Sequence, residues 1–201
     1  MIESSFNTNS DDLCLNFANN WGSRPEASRD RAGGYRDLVA WAVQGGIIAP
    51  SQGHQLLELA GREPSRAEAS VARTVRLREA ISASFSRIAG GRSPGEEELE
   101  TINRALAEAL PHLRLRAEEA RCRWEWSAPP DALDQMLWPV ARSAAELLTS
   151  DRAGRVRECA SETCSWLFLD ASRNGRRKWC DMASCGNRAK ARRYYERHHR
   201  S

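Results

Sequence analysis

What this sequence lacks narrows its function before any motif is read. No apolar run approaches the ~18 residues of a membrane helix, so no membrane partner is expected. The start, Met1-Ile2-Glu3-Ser4-Ser5-Phe6-Asn7, has no basic stretch followed by an apolar one. No signal peptide is expected, and a cytoplasmic location follows. There is no glycine-rich phosphate loop, no nucleophile elbow and no His-Glu metal motif. Histidine is scarce, and His54 and His112 stand isolated. No nucleophile, base and orienting group can be named together, so an enzyme is not expected. Internal repeats and long low-complexity tracts are also missing.

What is present suits a soluble globular chain, with 41% hydrophobic and 28% charged residues. At 201 residues it is long enough to bury a real core. The informative feature is cysteine spacing. Cys159 and Cys164 enclose four residues, a 15-residue insert follows, and Cys180 and Cys185 enclose four more. Two such pairs can place four thiolates around one tetrahedral zinc, with Zn–S distances of about 2.3 Å. Two disulfides or four free thiols are the alternatives, and both are weaker in a chain with no secretory signal. Four Cys ligands close the coordination shell, so the zinc is expected to be structural, with no open position for a water nucleophile. Cys14 and Cys122 lie apart and read as buried small hydrophobes.

Trp179-Cys180 and Cys185-Gly186-Asn187-Arg188 resemble the motif of the CGNR zinc-finger family. The approach to it, from Arg157-Glu158-Cys159-Ala160 through Trp166-Leu167-Phe168-Leu169-Asp170-Ala171-Ser172-Arg173-Asn174, is similar to that family's pattern. Near the N-terminus, Leu13-Cys14-Leu15-Asn16-Phe17-Ala18-Asn19-Asn20 resembles the opening segment of the ABATE domain, the usual partner of that finger. Asn16 replaces an acidic residue of the family pattern and Asn20 a hydroxyl residue. The resemblance implies a stress-related transcription regulator.

Periodicity supplies the elements. Residues 12–20 fit a helix or a short strand. A helix is predicted over 35–44, with Tyr35, Leu38, Val39 and Ala42 inward and Gly45-Gly46 as the stop. Pro50-Ser51 opens a second helix, with Leu56, Leu57 and Ala60 inward. A longer one runs from Ser65 to Ala89 on Val71, Val75, Ile81, Phe85 and Ile88, ended by Gly90-Gly91. Ser93 reads as the cap of the next, with Pro94 at its first position and Leu99, Ile102, Leu106 and Leu110 on one face. Leu113, Leu115, Cys122, Trp124 and Trp126 alternate with charged residues, which predicts a β-hairpin. Pro129-Pro130 and Asp131 open a helix to Leu148 that Pro139 should kink; Leu133, Met136, Leu137, Val140, Ala144 and Leu147 form its apolar set. The boundary falls here: residues 1–150 form a helical effector domain and residues 151–201 a zinc module. The fold class is mainly α with a small β-hairpin (α+β). The module resembles a small ribbon or treble-clef finger in which zinc replaces an absent core. Trp166 to Leu169 is strand-like, Asn174-Gly175 signals a hairpin turn, and a last helix covers 187–198.

Charge separates the two parts. Residues 152–201 carry 13 Lys or Arg against 5 Asp or Glu, whereas residues 1–151 carry 17 against 22. Zn²⁺ with four thiolates takes 2 charges from the tail's balance of +8, leaving about +6. On the last helix Arg188, Lys190, Arg192, Arg193 and Arg197 surround a stripe of Ala191, Tyr194, Tyr195 and His198. Arg173, Arg176, Arg177 and Lys178 make a second cluster. Both are candidate nucleic-acid contacts, DNA foremost. A solvated face, an acidic protein partner or RNA are the competing readings, and homodimerisation stays open. Trp166, Phe168 and Trp179 read as packing over the metal rather than as base-stacking groups. Asn187 reads as a helix cap and Gly186 as a turn former. Asn16, Asn19, Asn20, Trp21 and Arg24 gather polar and aromatic groups that suit a small-molecule effector pocket.

Overall fold

The computed structural model describes residues 12–20 and 33–198, without the side chains of Arg193 and Arg197. Trp21, Arg24, the polar N-terminal segment and those two side chains lie outside the described residues. The ambiguous first segment is a helix, α1 (Leu13–Asn20), buried along nearly its whole length. It is followed by α2 (Tyr35–Gln44), α3 (Pro50–Arg62), α4 (Pro64–Ala89) and α5 (Glu96–Ala109). A hairpin, β1 (Leu113–Glu118) and β2 (Arg121–Trp126), precedes α6 (Trp138–Leu148). Two short strands, β3 (Val156–Glu158) and β4 (Leu167–Leu169), pair antiparallel, and α7 (Asn187–His198) ends the described chain. The fold is mainly helical, with two small antiparallel hairpins.

α4 is the spine, touching α1, α2, α3, α5 and the β3–β4 pair. Its buried seam differs from the predicted one. Ala67, Ser70, Thr74, Leu77, Ala80, Ile81, Ser84 and Phe85 are buried, while Val71, Val75 and Ile88 are only partly covered. Small residues let neighbours approach closely, and the Ser70 and Thr74 hydroxyls find nearby acceptors, whereas Ser84 Oγ is buried without a partner among the described residues. Thr74 Oγ1 donates to the Ser70 carbonyl at 2.8 Å, and Ser70 Oγ donates to the Leu133 carbonyl at 3.4 Å. The large groups still dominate the energy: Ile81 and Phe85 are fully buried, each worth about 1.5–3 kcal/mol.

Three local expectations change. α5 begins at Glu96 with Gly95 as its cap, two residues past Ser93. The Ser93 carbonyl instead accepts from Arg87 Nε at 2.8 Å. Glu96, Glu97 and Glu98 then occupy the first turn, where acids favour the helix dipole. At the other end Pro111 stops the helix, leaving Leu110 exposed while Ala109 is buried. α6 begins at Trp138 rather than at Asp131, and Pro139 sits in its first turn and starts the helix without a kink, because its missing N–H would find no partner there anyway.

The β1–β2 hairpin has the predicted alternation, with Leu113 opposite Trp126, Leu115 opposite Trp124 and Ala117 opposite Cys122. Its apolar face packs only at the base. Trp126 meets Trp138 at 6.0 Å and Arg142 lies 5.0 Å over Trp124, yet Leu115 stays 64% exposed and Cys122 is exposed too. Cys14, by contrast, is buried as expected.

β4 serves two cores. Successive strand residues point to opposite faces, so Leu167 and Leu169 join Val156 in the helical core while Phe168 joins the cysteines. The Asn174-Gly175 turn is present, with Gly175 at φ 60°, but it joins no hairpin. β4 pairs backwards with β3, and the chain after the turn, residues 176–179, belongs to no strand.

Candidate metal centre

The site begins with β3 and β4, which fix the first Cys pair. Cys159 N donates to the Trp166 carbonyl at 2.9 Å, and Ala160 N to the Lys178 carbonyl at 2.9 Å, which ties the first pair to the approach of the second. The second pair is set by one wide turn, Met182–Gly186, capped by Asp181, whose carboxylate accepts from Ser184 N at 2.8 Å. Asp181 therefore takes the capping role expected of Asn187. Asn187 is the first residue of α7 and donates to the Ala183 carbonyl at 3.0 Å. Gly186 matters for space: a Cβ there would lie 2.9 Å from Met182 Sδ and 3.4 Å from Trp179 Cδ1.

These constraints bring together the four predicted cysteines. Their sulfurs all lie within 4.8 Å of one another, with Cys164–Cys180 at 3.8 Å and Cys180–Cys185 at 3.6 Å. A regular tetrahedron with ~2.3 Å bonds has edges of about 3.8 Å, so the spacing fits zinc. It is far too long for disulfides at ~2.05 Å. Cys159, Cys164, Cys180 and Cys185 make one structural zinc site. The chemistry of the donors also suits a metal. Burial pushes the Cys164 thiol up to about 11, and Cys180 also rises because burial and its neighbouring thiols oppose ionisation. Burial works against ionisation at Cys185 as well, but there the Arg188 guanidinium and the adjacent thiols outweigh it and bring the group to about 7. Zinc binds thiolates and holds all four deprotonated.

Around the sulfurs lies a small shell. Phe168 is buried against them, with Trp166 and Trp179 partly covered beside it, so all three pack at the metal as expected. Arg177 stacks 4.7 Å over Phe168, donates to the Trp179 carbonyl at 2.9 Å through Nε and reaches the Cys180 carbonyl. Read from sequence as a nucleic-acid contact, Arg177 is folded back as a brace of the metal site. Asp170 was missed by the sequence reading. It is buried and accepts from Ser172 N, Ser172 Oγ and Arg177 N at 2.9, 2.5 and 3.0 Å, closing the 170–177 loop. Its one signal is its place directly after an apolar strand, where a charged group must find internal donors.

The other basic candidates divide. Arg188 donates to Cys185 Sγ at 3.1 Å, offsetting part of the thiolate charge. Arg192 is paired with Glu162 and Glu196. Arg173, Arg176, Lys178 and Lys190 are exposed, and their side chains engage no group among the described residues. Tyr194 and Tyr195 on α7 are 57% and 62% exposed, with Tyr194 stacked on His198 at 4.1 Å. Asn16 and Asn19, expected to line an effector pocket, spend their amides inside the fold. Asn16 Oδ1 accepts from Trp41 Nε1 at 3.4 Å, and Asn19 bonds Leu167 in both directions.

Comparison with known proteins agrees with this geometry. A family model named ABATE, described as "Putative stress-induced transcription regulator", matches residues 11–151. The CGNR zinc finger model matches residues 155–198, which contain all four cysteines. A search of curated proteins gives no match. No described helix is long and apolar enough to cross a membrane. The chain belongs to the ABATE family and carries a CGNR zinc finger at its C-terminal end.

Proposed function

We propose that this protein is a cytoplasmic transcription regulator that binds DNA through its zinc module. Residues 1–150 act as an effector domain and residues 151–201 as the binding unit, with no catalytic step. One observation carries the reading. Arg173, Arg176, Lys178 and Lys190 stand exposed on the loop that Asp170 closes, on the approach to Cys180 and on the helix that follows Cys185, and no described acid neutralises them. Unpaired cations on a rigid support are what phosphate contacts require. The effector domain is tied to this unit through the β3–β4 pair, which packs on α4 and α1. Zinc-loaded full chain should be titrated against duplex DNA, RNA and single strands over a salt series. The expected outcome is tightest binding to duplex DNA, weakening linearly with the logarithm of salt. Retention of an acidic protein partner with no nucleic-acid binding would replace this reading.

A further inference from the structure

A groove of about 610 Å³ runs between the first cysteine loop and α7. Trp179 walls it, and three cations, Lys178, Arg188 and Arg192, line it together. Arg188 already leans on Cys185 Sγ, and the Lys178 side chain has no partner among the described residues. Arg192 is held from two sides. Its Nε donates to Glu196 Oε1 at 2.9 Å, one helical turn on, and its Nη1 reaches Glu162, 30 residues earlier in the loop between Cys159 and Cys164. The Glu196 contact is an ordinary same-face pair of a helix. The Glu162 contact is different in kind, because it joins two separate parts of the module. A loop anchored at both ends by zinc ligands carries a carboxylate onto the arginine at the groove.

A guanidinium binds carboxylate and phosphate oxygens with the same planar array of donors. The Glu162 and Arg192 side chains are 71% and 57% exposed, so solvent screens the pair and exchange for another anion costs little. We propose that this groove is a phosphate seat, occupied in the free protein by Glu162, and that nucleic acid binds by exchanging the Glu162 carboxylate for a backbone phosphate. The inference rests on the nucleic-acid reading of the module. It adds a defined subsite, with Arg192 as the receiving cation, Lys178 beside it, and Glu162 as a built-in competitor.

The test uses the zinc-loaded full chain as wild type, Glu162→Gln, Arg192→Ala and the double variant. Each is titrated against one duplex and one single strand over a salt series, with zinc content measured in parallel. Glu162→Gln should bind about two- to five-fold tighter, and its salt slope should steepen by about 0.9 as one more cation becomes available. Arg192→Ala should bind more weakly, and in that background Glu162→Gln should have no effect. Equal tightening with and without Arg192 would show a general charge effect and overturn the inference. Nucleic-acid binding by wild type that Glu162→Gln leaves unchanged would overturn the inference alone. Failure of both wild type and Glu162→Gln to bind any strand would overturn the nucleic-acid reading and the inference with it.

Discussion

Asn19 and Leu167 are joined by two hydrogen bonds across 148 residues of sequence. The Asn19 amide donates to the Leu167 carbonyl at 2.7 Å and accepts from the Leu167 N–H at 2.9 Å. A side chain of α1 thus fills the free edge of β4, the strand whose opposite face holds Phe168 against the cysteines. The first helix and the metal module are fastened at one buried point.

Asn19→Ala should therefore strand a buried N–H and a buried carbonyl at once. The expected loss is about 2–4 kcal/mol of stability, read from urea melts. Asn19→Asp should do no better, because a carboxylate cannot donate to the Leu167 carbonyl. A change below about 0.5 kcal/mol for both would remove this contact from the account of how the two parts are held together.

Purified protein should carry one zinc per chain by metal analysis. Cys164→Ser or Cys180→Ser should abolish that stoichiometry and melt the region around Phe168 and α7 first, because the small cluster has little apolar area besides the metal. The helical core, with α4 at its centre, should keep most of its helix signal.

Arg177 and the Arg173–Arg176 pair should separate in experiment. Arg177→Ala removes the stack on Phe168 and the contacts to two carbonyls, so zinc should be lost to a chelator about 10–100 times more readily. Arg173→Ala with Arg176→Ala should leave zinc retention unchanged and flatten the salt slope of nucleic-acid binding by up to about 1.8.

Acid should weaken the module partly through Asp170. Burial alone would raise its pKa, but the Ser172 hydroxyl and N–H, the Arg177 N–H and the Arg157 charge outweigh burial and hold it below the ordinary carboxylate value. A group depressed on folding contributes its full stabilisation above the unfolded value, near pH 4, and loses it as pH falls through the lower folded value. Thiolate protonation also releases zinc in acid. The measurement is therefore the difference between wild type and Asp170→Asn in thermal melts at matched zinc. That gap should be wide at neutral pH and should shrink below about pH 4.

Much of this protein is readable from the chain alone, for a definite reason. The ends of α2 and α7, the start of α3, the four cysteines and the burial of the apolar set from Leu133 to Leu147 are local or nearly local properties. Helical spacing, a glycine stop or a Cys-x₄-Cys loop acts within a few residues, so the sequence states it directly. The buried seam of α4, the half-bare hairpin face, the pairing of β4 with β3 and the two-sided use of Leu167-Phe168-Leu169 depend on what lies opposite. So does the partition of the basic residues. Arg177, Arg188 and Arg192 are chemically like Arg173 and Arg176 in the sequence, yet Phe168, Cys185 and Glu162 claim the first three. A guanidinium becomes brace, thiolate partner or free cation according to the group within about 3–5 Å of it, and only the folded chain decides which group that is.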